Sequence, residues 1–479
     1  ISCWQKAIDF LDDDDHRLLI VLESNISAGE AALGEYTPAA DRLTRAEQLA
    51  RSTGNRSFLW RIKMLQAEIA AAVWGYSSLE VEENFRQAAL YLEQYSSGDG
   101  GYFPVSAEVK RELFRRMVEI SLGAGDNESA FEAAERATGL QVVEVMSRRQ
   151  FDLKTESQRF VWGSGGGIVN LYRREIERIE TALQQPKLKL EEKQSLEDSL
   201  RTLQSEYRQT LEEVKTRDPE FASLFCVCPV KWDSIQARLE DGELLLRFFR
   251  LEDRLVMWGV TRDLFRVREI NLDPGQDMQA LLEDKIFPTM ASFMADYSDL
   301  LIVPDGELTG IDFEMLNLRG EPLYRTHRIA YGNSASFFYF ARNKRVVPGN
   351  RLLCIGKCDT NITAAAAFQW ETVAEIDTAR NFFQTLEESD YSIIDADFDP
   401  EVVPGLNAEI ILSDTAGDTT IIPAHSFFSR DLRQPLVVLD AVALSGEGGL
   451  ALLRGLVFAG AAAVCAVNPD IPDSLQRVY

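Results

Sequence analysis

Five short, nearly continuous apolar runs in the second half of the chain constrain its fold most strongly. They span residues 300–303, 351–355, 409–412, 436–439 and 463–467. Runs of this length without alternating polar residues are typical of strands that are buried on both faces of a sheet. Stretches with helical spacing separate them, so the sequence predicts an α/β domain with a mostly parallel sheet.

Three further apolar runs precede these strands. Residues 243–249, 253–260 and 265–270 are joined by short, charged turns, which is the pattern of an antiparallel β-meander. The composition changes at about Val230. We therefore expect one domain to span residues 230–479, with the meander at its start.

Residues 1–160 are expected to form an all-α region of helix pairs. Apolar and small residues recur at helical spacing, and a turn with two glycines, residues 122–127, joins the last two helices. This pattern resembles tetratricopeptide repeats, although the units are spaced nearer 40 than 34 residues apart, roughly. The resemblance implies a surface that binds peptides or partner proteins. The alternative is a plain helical domain without a binding groove.

Residues 168–220 predict a separate long helical hairpin. A glycine-rich stretch, residues 162–167, interrupts the chain before it. Apolar residues then recur at spacings of three and four on both sides of Pro186. Two amphipathic helices that are joined near this proline would pack antiparallel.

Charge and cysteine content exclude several classes of function. The formal net charge is −26, which disfavours binding to nucleic acids or anionic membranes, since both attract basic surfaces. The six cysteines lack the paired spacing of zinc sites, so we expect reduced thiols and no metal or other cofactor. No apolar run is long enough to cross a bilayer and no signal segment is visible, so the expected location is cytoplasmic.

Several segments of the second half resemble CHAT domains. They are residues 300–308 (LLIVPDGEL), 311–316 (IDFEML), 331–336 (YGNSAS), 353–356 (LCIG), 446–450 (GEGGL) and 456–464 (LVFAGAAAV). These domains are caspase-like peptidases that are distantly related to separase and often follow tetratricopeptide repeats. The resemblance implies a caspase-like fold for residues 230–479. Family members continue beyond the last strand, so the resemblance also implies a domain that is truncated at its C-terminus.

The resemblance further implies that the catalytic dyad of this family is lost. Residues 411–417 (ILSDTAG) resemble the histidine segment and put Ala416 at the catalytic histidine position. Residues 436–442 (LVVLDAV) resemble the cysteine segment and put Val442 at the nucleophile position. In the family these two segments end neighbouring strands. Because neither alanine nor valine can act as a nucleophile or a base, the implied protein is a pseudopeptidase.

Five residues form the candidate pocket around the vacated positions: Asp414, Gly417, Asp440, Ser445 and His425. If the strands before Asp414 and Asp440 are neighbours, the two carboxylates would bind a metal ion or share a proton. The alternative is that local backbone donors satisfy each of them. His425 lies between the two strands and would either reach the site edge or serve as a surface or capping residue.

The expected function is that of a non-catalytic regulatory or scaffold protein in signalling. Its helical region would bind a protein or peptide, including an active paralogous peptidase. One alternative is an active hydrolase with a relocated or metal-based site. Another is a sensor that binds a small molecule in the emptied pocket.

Overall fold

The computed structural model describes residues 1–11, 15–76, 78–95, 107–148, 158, 160–161, 167–183, 189–225, 229–344, 346, 349–355, 369–373, 379–399, 409–413, 419–440 and 446–466. The chain forms two compact units. The first comprises Ile1–Arg148 and Phe160–Cys228, and the second comprises Arg149–Arg159 and Pro229–Tyr479. The hairpin that the sequence predicted as a separate segment belongs to the first unit.

The first unit is built of helices. In chain order they are α1 (Ser2–Ile8), α2 (His16–Ala32), α3 (Tyr36–Ser52), α4 (Leu59–Trp74), α5 (Leu79–Tyr95), α6 (Ala107–Gly123), α7 (Asn127–Arg148), α8 (Ile168–Leu183), α9 (Leu190–Arg217) and α10 (Pro219–Phe225). Helices α2 and α3, α4 and α5, and α6 and α7 pack as successive pairs. The first helices of these pairs begin at His16, Leu59 and Ala107, so the pairs repeat after 43 and 48 residues. Both spacings exceed the roughly 34 residues of a tetratricopeptide repeat.

Small residues let the helices of this unit approach closely. Ala46 and Ala50 of α3 are buried beside Leu59 and Ile62 of α4 in one apolar core. The predicted turn before α7 is confirmed, since the Asp126 carboxylate accepts a 3.0 Å hydrogen bond from the backbone N–H of Ser129. An acceptor at this position satisfies one of the free donors at the start of a helix.

The helical hairpin is also confirmed. Helices α8 and α9 pack together. The ring of Tyr172 meets that of Tyr207 edge-on, with centroids 6.5 Å apart. Because only a short segment connects the two helices, they run antiparallel.

The second unit combines strands and helices. Its strands are β1 (Glu243–Arg250), β2 (Arg254–Val260), β3 (Phe265–Asn271), β4 (Asp299–Val303), β5 (Asn317–Leu318), β6 (Glu321–Pro322), β7 (Arg328–Tyr331), β8 (Arg351–Ile355), β9 (Gln369–Val373), β10 (Tyr391–Asp395), β11 (Asp397–Asp399), β12 (Glu409–Ser413), β13 (Thr419–Pro423), β14 (Leu436–Asp440) and β15 (Val464–Ala466). Its helices are α11 (Trp232–Gln236), α12 (Met278–Leu281), α13 (Phe287–Met294), α14 (Ala335–Arg342), α15 (Ala379–Glu387) and α16 (Gly446–Ala459).

A mixed sheet contains the predicted meander. Its strand order is β3-β2-β1-β4-β7. Strands β1, β2 and β3 pair antiparallel, as predicted, whereas β4 pairs parallel with both β1 and β7. Phe248 of β1 packs against Phe313 in its core, with the two rings tilted and their centroids 5.5 Å apart.

A second sheet is parallel throughout, in the order β15-β14-β10-β8-β9. The parallel strands therefore lie in two sheets rather than in the single sheet that the sequence predicted. Helix α15 precedes β10 and buries Phe382 and Phe383 in the same core as Leu353 of β8. A helix between parallel strands is the usual crossover connection.

Strand β12 does not belong to the parallel sheet, contrary to the prediction. It pairs antiparallel with β11 and β13 in a separate three-stranded sheet. Only residues 414–418 connect β12 to β13. A connection this short permits a hairpin but not the long crossover that a parallel pair needs.

The search for membrane-spanning segments gave a negative result within the described ranges. No helix there combines the length and the apolar character that crossing a membrane requires.

Candidate functional site

The adjoining ends of β10 and β14 form the candidate site. These two strands pair in parallel, from Tyr391 beside Leu436 to Asp395 beside Asp440. Parallel neighbours end at the same edge of a sheet, where α/β proteins commonly place their sites. Asp440 is thus the last residue of a central strand, and its partner in the register is another aspartate.

The strand order contradicts the hypothesis that Asp414 and Asp440 follow neighbouring strands. Asp414 follows β12, which lies in the antiparallel sheet, whereas Asp440 ends β14 in the parallel sheet. The two residues therefore do not follow adjacent strands. Strand β10, and not the strand before Ala416, occupies the place beside β14.

Most of the candidate pocket lies beyond the described residues. Residues Asp414, Ala416, Gly417, Val442 and Ser445 lie outside them, as do the side chains of Asp395, Asp440 and His425. The backbone of His425 belongs to a 3₁₀ helix, Ala424–Ser429, that follows β13. Helix α16 packs closely on this turn, since a Cβ on Gly455 would lie 2.9 Å from the carbonyl oxygen of Ala424.

Strand β10, which lies beside β14, was not predicted from the sequence. Its sequence, YSIID, is interrupted by Ser392, so it lacks the continuous apolar run of the other strands. The preceding segment could have indicated a crossover helix, and hence a strand after it, because Phe382, Phe383 and Leu386 form an apolar stripe there. Residues 413–419 (SDTAGDT) could have indicated that β12 and β13 form a hairpin, since an Asp- and Gly-rich loop between two β-prone runs favours one.

His327, the histidine of the second unit whose side chain the structure describes, has hydrogen-bonding partners at both ring nitrogens. His327 is buried, and its Nδ1 lies 2.7 Å from the Thr326 hydroxyl. Its Nε2 lies 3.3 Å from the carbonyl oxygen of Met294. With both ring nitrogens engaged, His327 is poorly placed to act as a general base.

The described cysteines differ from the sequence expectation. Cys354, buried in β8, is disulfide-bonded, so the expectation that the thiols are reduced is wrong at this residue.

Cys465 is exposed on β15, at one edge of the parallel sheet. Atoms around its sulfur nevertheless desolvate the thiolate and raise the pKa of Cys465. A raised pKa leaves less of the reactive thiolate at neutral pH. Among the residues with described side chains, no three His, Cys, Asp or Glu side chains come together as metal ligands.

The first unit carries a charge network between α3 and α4. The Glu47 carboxylate accepts hydrogen bonds from Lys63 at 2.9 Å, Gln66 at 3.0 Å and Arg51 at 2.8 Å. Burial alone would raise the pKa of Glu47, but these hydrogen bonds outweigh it and hold the pKa below its usual value. Glu47 is therefore ionised and ties the two helices together.

Arg61 of α4 differs from other arginines of this unit. Arg42 and Arg51 bond carboxylates, whereas Arg61 donates a 2.6 Å hydrogen bond to the amide oxygen of Asn25. In the described part of the chain, Arg61 has no carboxylate partner, and burial lowers its pKa. Its guanidinium is thus partly desolvated without a compensating negative charge.

Comparison with known proteins adds no relative from which a role can be transferred. Neither a protein-family model nor a curated protein matches the chain.

Proposed function

We propose that this chain is a non-catalytic pseudopeptidase of the CHAT type, with a caspase-like second unit, that acts as a regulatory or scaffold protein. One observation carries the proposal. Asp395 and Asp440 are register partners at the adjoining ends of two neighbouring parallel strands, and Val442, two residues after Asp440, stands where the resemblance puts the nucleophilic cysteine. A valine side chain cannot act as the thiolate nucleophile of a cysteine peptidase.

Among the cysteines and histidines of the second unit whose side chains the structure describes, none forms a thiolate–imidazole pair. Cys354 is disulfide-bonded, and the raised pKa of Cys465 disfavours its thiolate. Both ring nitrogens of His327 have partners already. Thiol chemistry needs a thiolate beside a base, and these residues do not provide the pair.

The helical unit supports the second half of the proposal. Three successive helix pairs form a repeating array, and arrays of this kind present extended surfaces to peptides and proteins. The partner that we propose is a protein or a peptide segment, and an active peptidase related to this chain is one such protein.

Digestion of an unbiased peptide library, read by mass spectrometry, tests the loss of activity. We expect the full chain to release no more products than a heat-denatured sample. The Val442→Cys variant provides the matched control, because it restores a thiol to the nucleophile position without restoring a histidine. We expect this variant to react with a thiol-directed peptidase inhibitor but to cleave nothing.

Cross-linking of the full chain in extracts of its source cells tests partner binding. We expect cross-links to one defined protein that map to Ile1–Arg148 or Phe160–Cys228. Library cleavage that survives removal of contaminating peptidases would contradict the loss of activity. Cross-links that map only to the second unit would contradict the role given to the helices.

A further inference from the structure

The turn between α4 and α5 exposes an unusual cluster of large apolar side chains. Val73, Trp74, Tyr76 and Leu79 form this cluster, which we name the α4–α5 patch. Trp74 is 69% exposed, Tyr76 is 51% exposed and Leu79 is 83% exposed. Large apolar residues that are exposed singly are common, but a contiguous group of them marks an interaction surface.

Packing against the next helix pair fixes one side of the patch. A Cβ on Gly123, at the end of α6, would lie 2.9 Å from Cδ2 and 3.1 Å from Cγ of Tyr76. The ring therefore rests on the backbone of Gly123, where only a glycine leaves room for it. This contact joins the α4–α5 patch to the turn between α6 and α7, so the surface extends across two helix pairs.

Acidic residues surround the patch. Glu80 and Glu82 lie in the first turn of α5, and Asp126 and Glu128 lie at the start of α7. All four are exposed. The sequence has no lysine or arginine within residues 71–82 or 121–128. The charged residues of these two described turns are therefore all acidic, and these four residues, which we call the acidic rim, favour a positively charged partner.

We propose that the α4–α5 patch docks a basic amphipathic segment of a partner protein. This inference rests on the proposed scaffold function and names the chemistry of the partner. Apolar side chains of the segment would cover Trp74 and Leu79, and lysine or arginine side chains would face the acidic rim. A second copy of this chain fits less well, since a two-fold contact through the patch would bring two acidic rims together.

A synthetic peptide provides the probe. It is a fluorescent helix of about 14 residues, or four turns, with leucine on one face and lysine on the other. Binding to the full chain is followed by fluorescence anisotropy at about 150 mM salt, where weak surface charge effects are screened. We expect Trp74→Ala and Leu79→Ala each to weaken binding at least about tenfold, as buried anchor residues do.

Leu33→Ala is the matched control. Leu33 is 69% exposed, as Trp74 is, but it lies at the turn between α2 and α3. We expect this variant to bind the peptide like the wild type. The Glu80→Gln, Glu82→Gln double variant should bind more weakly and with less dependence on salt, and a leucine–glutamate peptide should not bind.

Four results would overturn the inference. They are no binding of the leucine–lysine peptide, equal weakening by Leu33→Ala, equal binding of the leucine–glutamate peptide, and a dimer in sedimentation that Trp74→Ala converts to monomers. The last result would identify a second copy as the occupant. Cross-links to other helical surfaces would contradict the role of the α4–α5 patch but not the scaffold function. Peptidase activity would contradict the non-catalytic scaffold function but not peptide binding by the patch.

Discussion

Replacing Glu47 by glutamine tests whether the charge network between α3 and α4 stabilises the helical unit. Glutamine keeps the shape of the side chain but removes the charge that faces Lys63 and Arg51. The side chain of Glu47 is 17% exposed and that of Lys63 is 11% exposed, so water replaces the lost interaction only in part. Lys63 would retain its 2.9 Å hydrogen bond to Gln66.

The magnitude follows from the kind of contact that is lost. A hydrogen bond to a charged group contributes about 1.5–3 kcal/mol, and breaking a fully buried pair costs about 3–5 kcal/mol. Because both side chains keep some access to water, we expect Glu47→Gln to lower the free energy of unfolding by about 2 kcal/mol at pH 7. That loss is about a 30-fold change in the ratio of folded to unfolded molecules.

The effect should depend on pH in a defined direction. The pKa of Glu47 in the folded chain lies below its ordinary value of 4.5. Its contribution to stability is therefore present above pH 4.5 and is lost as the pH falls through the lower, folded pKa. Because glutamine does not titrate, the difference between the variant and the wild type should shrink over the same interval.

Amide hydrogen exchange read by mass spectrometry is the suitable assay, because the chain has two units and a global unfolding curve would mix them. We expect amides of α3 and α4 to exchange about 30-fold faster in the variant at pH 7. Lys63→Met, alone and combined with Glu47→Gln, completes a double-mutant cycle that isolates the pair. Unchanged exchange at pH 7, or a coupling energy near zero, would refute the reasoning.

Three further substitutions have clear expected outcomes. Arg61→Met should leave the free energy of unfolding unchanged or raise it by up to about 1 kcal/mol, because it removes a desolvated charge that has no carboxylate partner in the described part of the chain. Arg42→Met should lower the free energy of unfolding, because Arg42 bonds carboxylates. Thermal unfolding of the two variants provides the comparison. Phe427→Ala should destabilise the second unit by about 3–5 kcal/mol, measured by urea unfolding, because this fully buried ring packs 5.2 Å from that of Phe383. Burial raises the pKa of Glu68, so the fold disfavours its ionised form. Glu68→Gln should therefore stabilise the chain by less than about 1 kcal/mol at pH 7. Unfolding measured at several pH values should show that this gain vanishes below pH 4.5.

The sequence predicted the positions of the strands more reliably than it predicted which strands pair with each other. The run 351–355 is strand β8 with the same bounds, and the meander is confirmed strand by strand. An apolar run shows that a strand is buried, but the partner of that strand depends on the length and path of the connections. The run 409–412 was therefore assigned to the wrong sheet, and β10 was missed because Ser392 breaks its apolar pattern.

The candidate site depended on that same assignment. Asp440 was placed correctly at the end of a buried strand, but its register partner on the neighbouring strand is Asp395 and not Asp414. The α4–α5 patch had no sequence signal, since Trp74 and Leu79 look like any other apolar residues at a helix end. Exposure of a side chain is a property of the folded surface, and periodicity alone does not supply it.

The strand order of the parallel sheet has a consequence for how the protein emerges from the ribosome. Strand β10 pairs on one side with β8, which is synthesised earlier, and on the other side with β14, which is synthesised about 40 residues later. The sheet cannot close until its last strand, which ends at Ala466, has been translated, whereas the helix pairs make mostly local contacts and are complete long before. A partner of the helices would thus meet a finished surface while the second unit is still a nascent chain.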